Sequence, residues 1–229
     1  MIGAVEIDEN AANTFVSNHP DALLKKCDIR KVSAGAFMRE LGLRPGELDL
    51  LAGCPPCQGF SSLRTRNGSN RNRDARNNLV HEMLRFAGRF RPKAIMMENV
   101  PGLAKRKPFF DLCEGLQRLG YDVVYGVKDA AAYGVPQRRR RLIMLAGHGF
   151  KIEFPKCAGT TKTVRDAIAD LPKVGAGEDT LHNMPELRRS AKTAALIRDI
   201  PKNGGSRSDL PKSRQLECHK RCDGFKDIY

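Results

Sequence analysis

Short apolar runs alternate with amphipathic segments along residues 1–149 of this chain. Residues of mainly apolar or β-favouring type predict strands over 2–7, 26–29, 48–53, 93–98, 121–127 and 140–146. Apolar residues at helical spacing predict helices over 11–16, 35–41, 79–92 and 109–119. Strands that alternate with helices in this way predict an α/β fold with a parallel, doubly wound sheet.

The pattern changes after Gly149, where glycine, proline and threonine become frequent and only one helix, over 164–171, is predicted. We therefore expect two regions, 1–149 and 150–229, the second rich in loops. A further polar stretch over 61–76 has no apolar period and is expected to be a mobile loop.

Composition narrows the class of protein. The 229 residues are 41% hydrophobic, which is enough for a packed core, and no apolar run is long enough to span a membrane. The net charge of +14 favours a polyanionic partner, although a merely solvated basic surface has the same composition. Seven cysteines without a regular framework, in a chain without a signal peptide, favour a reducing cytoplasm.

Residues with chemical potential fall where predicted strands end. Glu6, Asp28, Cys57 and Glu98 each lie near the carboxyl end of one, which is where open α/β sheets bind ligands. Cys57 follows two prolines and an apolar run, a rigid and accessible setting that suits a nucleophile. Its spacing from Cys54 is also that of redox dithiols and metal knuckles, and the cysteines alone leave these alternatives open.

Three segments together resemble the DNA (cytosine-5)-methyltransferase family. The family's Pro-Cys-Gln nucleophile motif matches residues 56–58, followed by Phe60 and Ser61. Its Glu-Asn-Val motif matches 98–100, and its Gln-x-Arg-x-Arg motif matches 137–141. The order and approximate spacing are those of the family, and the resemblance extends from about residue 2 to the C-terminus.

The resemblance implies roles for individual residues. Cys57 would attack carbon-6 of cytosine, a protonated Glu98 would contact ring nitrogen 3, and Arg139 and Arg141 would brace the base and the glutamate. Residues implied in binding S-adenosylmethionine are Glu6, Ile7, Asp28, Ile29, Pro56 and Leu79. Residues implied or expected to contact double-stranded DNA are Ser61, Arg64, Arg66, Arg71, Arg73 and Gln137. The target base would have to flip out of the duplex.

The chain also departs from the family pattern. The Phe-x-Gly-x-Gly loop that cradles the cofactor in the family does not occur in these residues, and the last two family motifs would lie beyond Tyr229. The resemblance thus implies a Rossmann-like methyltransferase sheet without its first strand, followed by the start of a target-recognition region. We expect a truncated or split restriction-modification enzyme, unstable and weak in cofactor binding without a complementing polypeptide.

Other interpretations remain open at this stage. A DNA-binding remnant without catalysis, a tRNA methyltransferase and a thiol-redox protein fit parts of the sequence. Cys218, His219 and Cys222 have a metal-like spacing but lack a second ligand pair, so no zinc site is expected. A prokaryotic cytoplasm or nucleoid is the expected location.

Overall fold

The computed structural model describes residues 1–56, 79–172, 190–202 and 205–217. The chain divides into two compact units, Met1–Ala167 and Ile168–Tyr229. Cys57, the predicted loop over 61–76 and the cysteine–histidine group near the C-terminus lie outside the described residues. Within them, no helix is both long and apolar enough to cross a membrane.

The first unit begins with a small two-stranded sheet. Strand β1 (Gly3–Glu6) pairs in parallel with β2 (Leu23–Lys26), and helix α1 (Glu9–Asn18) connects them. The side chain of Asp8 accepts a hydrogen bond from the backbone N–H of Ala11, which fixes the start of α1. This β–α–β order agrees with the prediction, but β2 lies before the strand predicted over 26–29, and Ile29 begins the 3-10 turn Ile29–Lys31.

A second sheet of four strands follows. Its strands, in chain order, are β3 (Leu50–Gly53), β4 (Ala94–Asn99), β5 (Tyr121–Asp129) and β6 (Arg140–His148). Their spatial order is β3-β4-β6-β5. The helices of this region are α2 (Ala34–Glu40), α3 (Val80–Phe90) and α4 (Lys107–Arg118).

The prediction of a parallel sheet is wrong for the last strand, β6. β3 and β4 are parallel, but β6 runs antiparallel to both β4 and β5. The connection between β5 and β6 contains only the short 3-10 turn Ala130–Tyr133. A parallel crossover needs a longer connection, usually a helix, so a link this short returns the chain antiparallel.

Two apolar clusters hold the first unit together. One packs α3 and α4 against the four-stranded sheet and contains Ile95, Phe109 and Leu116, none of which is exposed. The other is centred on helices α2 and α3, and partly buried residues of both sheets, including Val5 and Leu51, pack against it. The helical layer is thus continuous, although β1 and β3 are not hydrogen-bonded to each other.

The predicted helix over 164–171 is shorter than expected. Helix α5 is Val164–Ile168 and ends before Pro172, which disfavours helical geometry in the residue ahead of it. The second unit contains a helix that was not predicted, α6 (Ala191–Asp199). The side chain of Ser190 caps it by accepting from the N–H of Thr193, and such a serine is the signal that would have revealed it.

Candidate active site

Three charged side chains predicted from separate motifs meet at the end of β4. The Nε of Arg141 lies 2.7 Å from Oε1 of Glu98, and an Nη of Arg139 lies 3.8 Å from the same oxygen. The side chains of Glu98 and Arg141 are each 27% exposed, so the pair is partly shielded but remains accessible. The structure therefore brings the carboxylate and both guanidiniums into one cluster.

Strand pairing explains why these residues meet. Glu98 is opposite Ile143 in the β4–β6 ladder, and alternation places Arg141 on the same face as Ile143. Arg139, two residues earlier and just before β6, approaches the same carboxylate. The arginine run thus supplies guanidiniums from every second position to the carboxylate on the neighbouring strand.

Asn99 ties the segment leading to Cys57 to the end of β4. Its Nδ2 donates to the carbonyl of Pro55 at 2.9 Å, and its Oδ1 accepts from the N–H of Val100 at 2.9 Å. Asn99 is 2% exposed, and among the described residues it is the one polar residue that is buried. It holds the backbone two residues before Cys57 beside the strand that carries Glu98.

Asp129 is a positioning residue that the sequence reasoning missed. Its Oδ1 accepts from the N–H of Ala131 at 3.2 Å and from the N–H of Arg139 at 3.0 Å. The carboxylate therefore closes the loop between β5 and β6 and sets where Arg139 leaves it. An aspartate at a strand end followed by small residues is the sequence signal of such a cap.

Cys54 does not have the properties of a redox nucleophile. Desolvation and the charge of the nearby Glu98 carboxylate raise the pKa of its thiol. Reactive cysteines of dithiol motifs instead have a lowered pKa, because the thiolate is the attacking form. This environment disfavours the redox interpretation of the Cys54–Cys57 pair.

The first sheet places two of the predicted cofactor residues at one edge. Glu6 ends β1 opposite Lys26, and Asp28 follows two residues after the end of β2. Oε1 of Glu6 accepts from the N–H groups of Ile7 and Asp8 at 2.7 and 2.8 Å. These bonds orient the carboxylate and leave its second oxygen for another donor, while Ile7 beside it is 67% exposed.

Asp28 is engaged by a neighbouring arginine. Both of its oxygens accept from Arg30, and Oδ1 also accepts from the backbone N–H of that residue. The hydrogen bonds from Arg30 lower the pKa of Asp28 to about 2. Asp28 therefore remains ionised near neutral pH and can still accept from a further donor.

Arg85 connects this edge to helix α3, a contact not foreseen from the sequence. Its guanidinium donates to the carbonyls of Val32 and Ile29 at 2.7 and 2.8 Å and also pairs with Glu82. The turn that carries Ile29 is thereby fixed to α3, the helix that begins immediately after Leu79. A single arginine within an amphipathic helix gives no signal of this long-range contact.

The remaining predicted residues divide by position. Pro56 and Gln137 are exposed, and Leu79 is partly buried. The predicted nucleophile Cys57 lies outside the described residues. So do five of the predicted DNA contacts: Ser61, Arg64, Arg66, Arg71 and Arg73.

Comparison with known proteins agrees with this geometry. The family model of C-5 cytosine-specific DNA methylases matches residues 1–215. Type II methyltransferase M1.HphI of Haemophilus parahaemolyticus is 35% identical over 92% of this chain and 57% of its own length. Type II methyltransferase M.AgeI of Thalassovita gelatinovora is 36% identical over 71% of this chain and 43% of its own. The chain thus spans about half the length of the curated relatives it matches.

Solved structures show the same fold. A candidate DNA modification methyltransferase from an E. coli prophage superposes with a TM-score of 0.63 at 24% identity, over 91% of this chain and 60% of that one. The S. pombe Dnmt2 methyltransferase has a TM-score of 0.50 over 67% of this chain and 43% of that one. The chain therefore belongs to the C-5 cytosine-specific DNA methylase family, for which S-adenosylmethionine is the implied methyl donor.

Proposed function

We propose that this chain carries the catalytic residues of a DNA cytosine-5 methyltransferase of the type II restriction-modification kind. The observation that carries the proposal is the cluster of Glu98, Arg139 and Arg141 beside the Asn99–Pro55 hydrogen bond. A carboxylate braced by guanidiniums suits a base that gains negative charge, and the backbone leading to Cys57 is held next to it. The similarity to the type II methyltransferases M1.HphI and M.AgeI supports the same assignment.

The chemistry assigns one role to each side chain. The Cys57 thiolate adds to carbon-6 of cytosine, forming a carbon–sulfur bond and shifting electrons onto the ring. Glu98, protonated, hydrogen-bonds ring nitrogen 3 as that charge develops, while Arg141 and Arg139 hold the carboxyl and the base carbonyl. Carbon-5 then takes a methyl group, and loss of its proton followed by departure of the thiolate restores the aromatic ring.

The residues of the first sheet fit S-adenosylmethionine, which supplies the methyl group when it is bound. Glu6 has a free carboxylate oxygen for ribose hydroxyls, and the exposed Ile7 offers an apolar surface for adenine. Asp28 accepts from the adenine amine with Ile29 beside it, and Arg85 fixes this turn to α3. Pro56 and Leu79 complete the proposed contacts.

The substrate in this proposal is double-stranded DNA with its target cytosine flipped out. Gln137 is exposed next to the arginine cluster and is available to the displaced strand. We assign phosphate contacts to Ser61, Arg64, Arg66, Arg71 and Arg73, which lie outside the described residues. Residues 150–229 are proposed to begin the target-recognition region.

The break between the two sheets suggests that a further strand is needed. β1 pairs only with β2, and β3 pairs only with β4, so each has an unpaired edge among the described strands. Val5 and Leu51 nonetheless contribute to one shared apolar cluster, and Leu50 and Ile7 are 51% and 67% exposed. We propose that a strand from elsewhere in a longer protein, or from a complementing polypeptide, pairs with these edges.

An intact-mass assay tests the proposal. The chain and its Cys57→Ser variant are incubated with S-adenosylmethionine and a duplex library containing 5-fluorocytosine, with and without a polypeptide bearing the glycine loop. An adduct with the wild-type chain that is lost in the variant supports the nucleophile. An adduct that requires the added polypeptide also supports the missing strand, whereas no adduct under either condition favours a DNA-binding remnant.

A further inference from the structure

An arginine-rich cleft lies between helices α2 and α3. Its volume is about 480 Å³, and four of its lining residues are arginines: Arg39, Arg44, Arg89 and Arg91. The floor between them is apolar and includes Met38 and Leu43. None of these residues takes part in the chemistry proposed above.

The positive charge of the cleft is poorly compensated. Arg39, Arg44 and Arg89 have no ion pair within the part of the chain that the structure describes, and their backbones are ordered by the elements that carry them. Arg91 uses one guanidinium nitrogen to donate to the Leu119 carbonyl at 3.1 Å. Glu47 accepts from the backbone N–H of Arg44 and forms no ion pair with these arginines among the described residues.

The backbone around the cleft is built to keep these arginines together. A Cβ at position 35 would lie 3.1 Å from Nε of Arg89. Because residue 35 is glycine, the guanidinium of Arg89 can lie across α2. The N–H of Gly46 donates to the Phe90 carbonyl at 2.8 Å and fixes the loop that carries Arg44. The carbonyl end of a helix attracts cations, which explains the positions of Arg39 and Arg89 in the last turns of α2 and α3. It does not explain the position of Arg44, which lies outside both helices.

Arg91 has an unusual conformation at this position. It caps α3 with φ 47° and ψ 50°, and among the described residues it alone has a positive φ without being glycine. Glycine or asparagine is the usual residue at such a left-handed cap. A guanidinium placed there despite the steric cost points to a role for the side chain.

The cleft is separate from the arginine cluster at Glu98. It lies at the last turn of α3, where the chain is about to enter β4, whereas Glu98 lies near the other end of that strand. Four residue steps along a strand from Ala94 to Glu98 span roughly 13 Å. A phosphate in the cleft is therefore not the phosphate of the nucleotide undergoing reaction.

We propose that this cleft is a second, sequence-independent binding site for the phosphate backbone of DNA. Guanidinium groups match phosphate oxygens in bidentate geometry, and several in one cleft suit a polyanion rather than a single ion. The polar side chains of the described lining are all guanidiniums, which can bind the phosphate oxygens of any DNA sequence. It keeps the protein on DNA through segments outside the target and requires no methyl transfer.

Fluorescence anisotropy with a labelled duplex made only of A·T pairs tests this site. The duplex lacks cytosine and no S-adenosylmethionine is added, so a failure of the proposed catalysis leaves the titration unaffected. Affinity is measured over a series of salt concentrations for wild type, for Arg39→Gln/Arg89→Gln and for the charge-retaining Arg39→Lys/Arg89→Lys. The matched control is Lys107→Gln/Arg118→Gln, which removes the same charge from α4, where both residues pair with acids.

The glutamine pair is expected to lower the slope of log affinity against log salt by about 1.8, since each lost phosphate contact removes about 0.9. The lysine pair and the α4 control should stay near the wild-type slope. Equal losses in the glutamine pair and the α4 control, or an unchanged slope, would overturn the assignment. Stronger competition by polyglutamate than by an unlabelled A·T duplex of equal charge would also overturn it, in favour of an acidic protein partner.

Discussion

Changing Asn99 to aspartate removes the hydrogen bond that joins the Cys57 segment to β4 and places a carboxylate at the same buried position. The substitution preserves size and keeps an oxygen that can accept from the N–H of Val100. It replaces the Nδ2 donor, which lies 2.9 Å from the Pro55 carbonyl, with a second acceptor. The variant therefore removes one bond and sets two acceptors against each other at a site where Asn99 is 2% exposed.

The cost follows from these contacts. The net contribution of one hydrogen bond to the free energy of unfolding is about 1 kcal/mol. A buried acceptor that is left without a donor lowers this free energy by at least about another 1 kcal/mol. Pro55 is only partly buried, so the lost bond and the unmatched acceptor together cost about 2–3 kcal/mol, and burial of the ionised carboxylate adds to this cost. For a domain of this size the melting temperature should therefore fall by at least about 4 °C.

Urea unfolding followed by circular dichroism measures this loss, because the chain has no tryptophan for fluorescence. Asn13→Asp is the matched control, since it makes the same change at an exposed position of α1. Lowering the pH should narrow the deficit of Asn99→Asp, because a protonated carboxyl regains a donor for the Pro55 carbonyl. A free energy of unfolding equal to that of the control would show that the Asn99–Pro55 bond does not stabilise this loop.

Three further predictions follow from other contacts. Arg141→Met should slow formation of the 5-fluorocytosine adduct by roughly 10²–10³, while Arg140→Met stays close to wild type; equal effects would refute the assigned pairing with Glu98. Gly115→Ala should lower the free energy of unfolding in urea by about 1–3 kcal/mol, because the new methyl group meets Leu84. The double variant with Leu84→Ala should lose less than the sum of the two single losses, whereas additive losses would show that the two sites do not interact. Burial raises the pKa of Tyr121 to about 12, so the unfolded phenol ionises first and stability should fall as pH rises from 10 to 12; a Tyr121→Phe variant with the same alkaline slope would contradict this.

Local patterns predicted most elements correctly because short-range physics decides them. The apolar alternation located β4 and β6 within one or two residues, and helical spacing located α4. The same pattern could not give strand direction, since antiparallel pairing of β6 depends on how the chain returns after Tyr133. Helix α6 was missed because its apolar face is weak and its start depends on one serine cap.

The sequence by itself determined the family, because the three motifs specify residue types in a fixed order. Through that resemblance it also predicted that Arg139 and Arg141 would lie near Glu98. Only the tertiary structure decided which groups hold these residues in place: Asn99 on Pro55, Asp129 on Arg139 and Arg85 on the turn at Ile29. Such contacts join residues distant in the chain, and no local pattern encodes the register that brings them together.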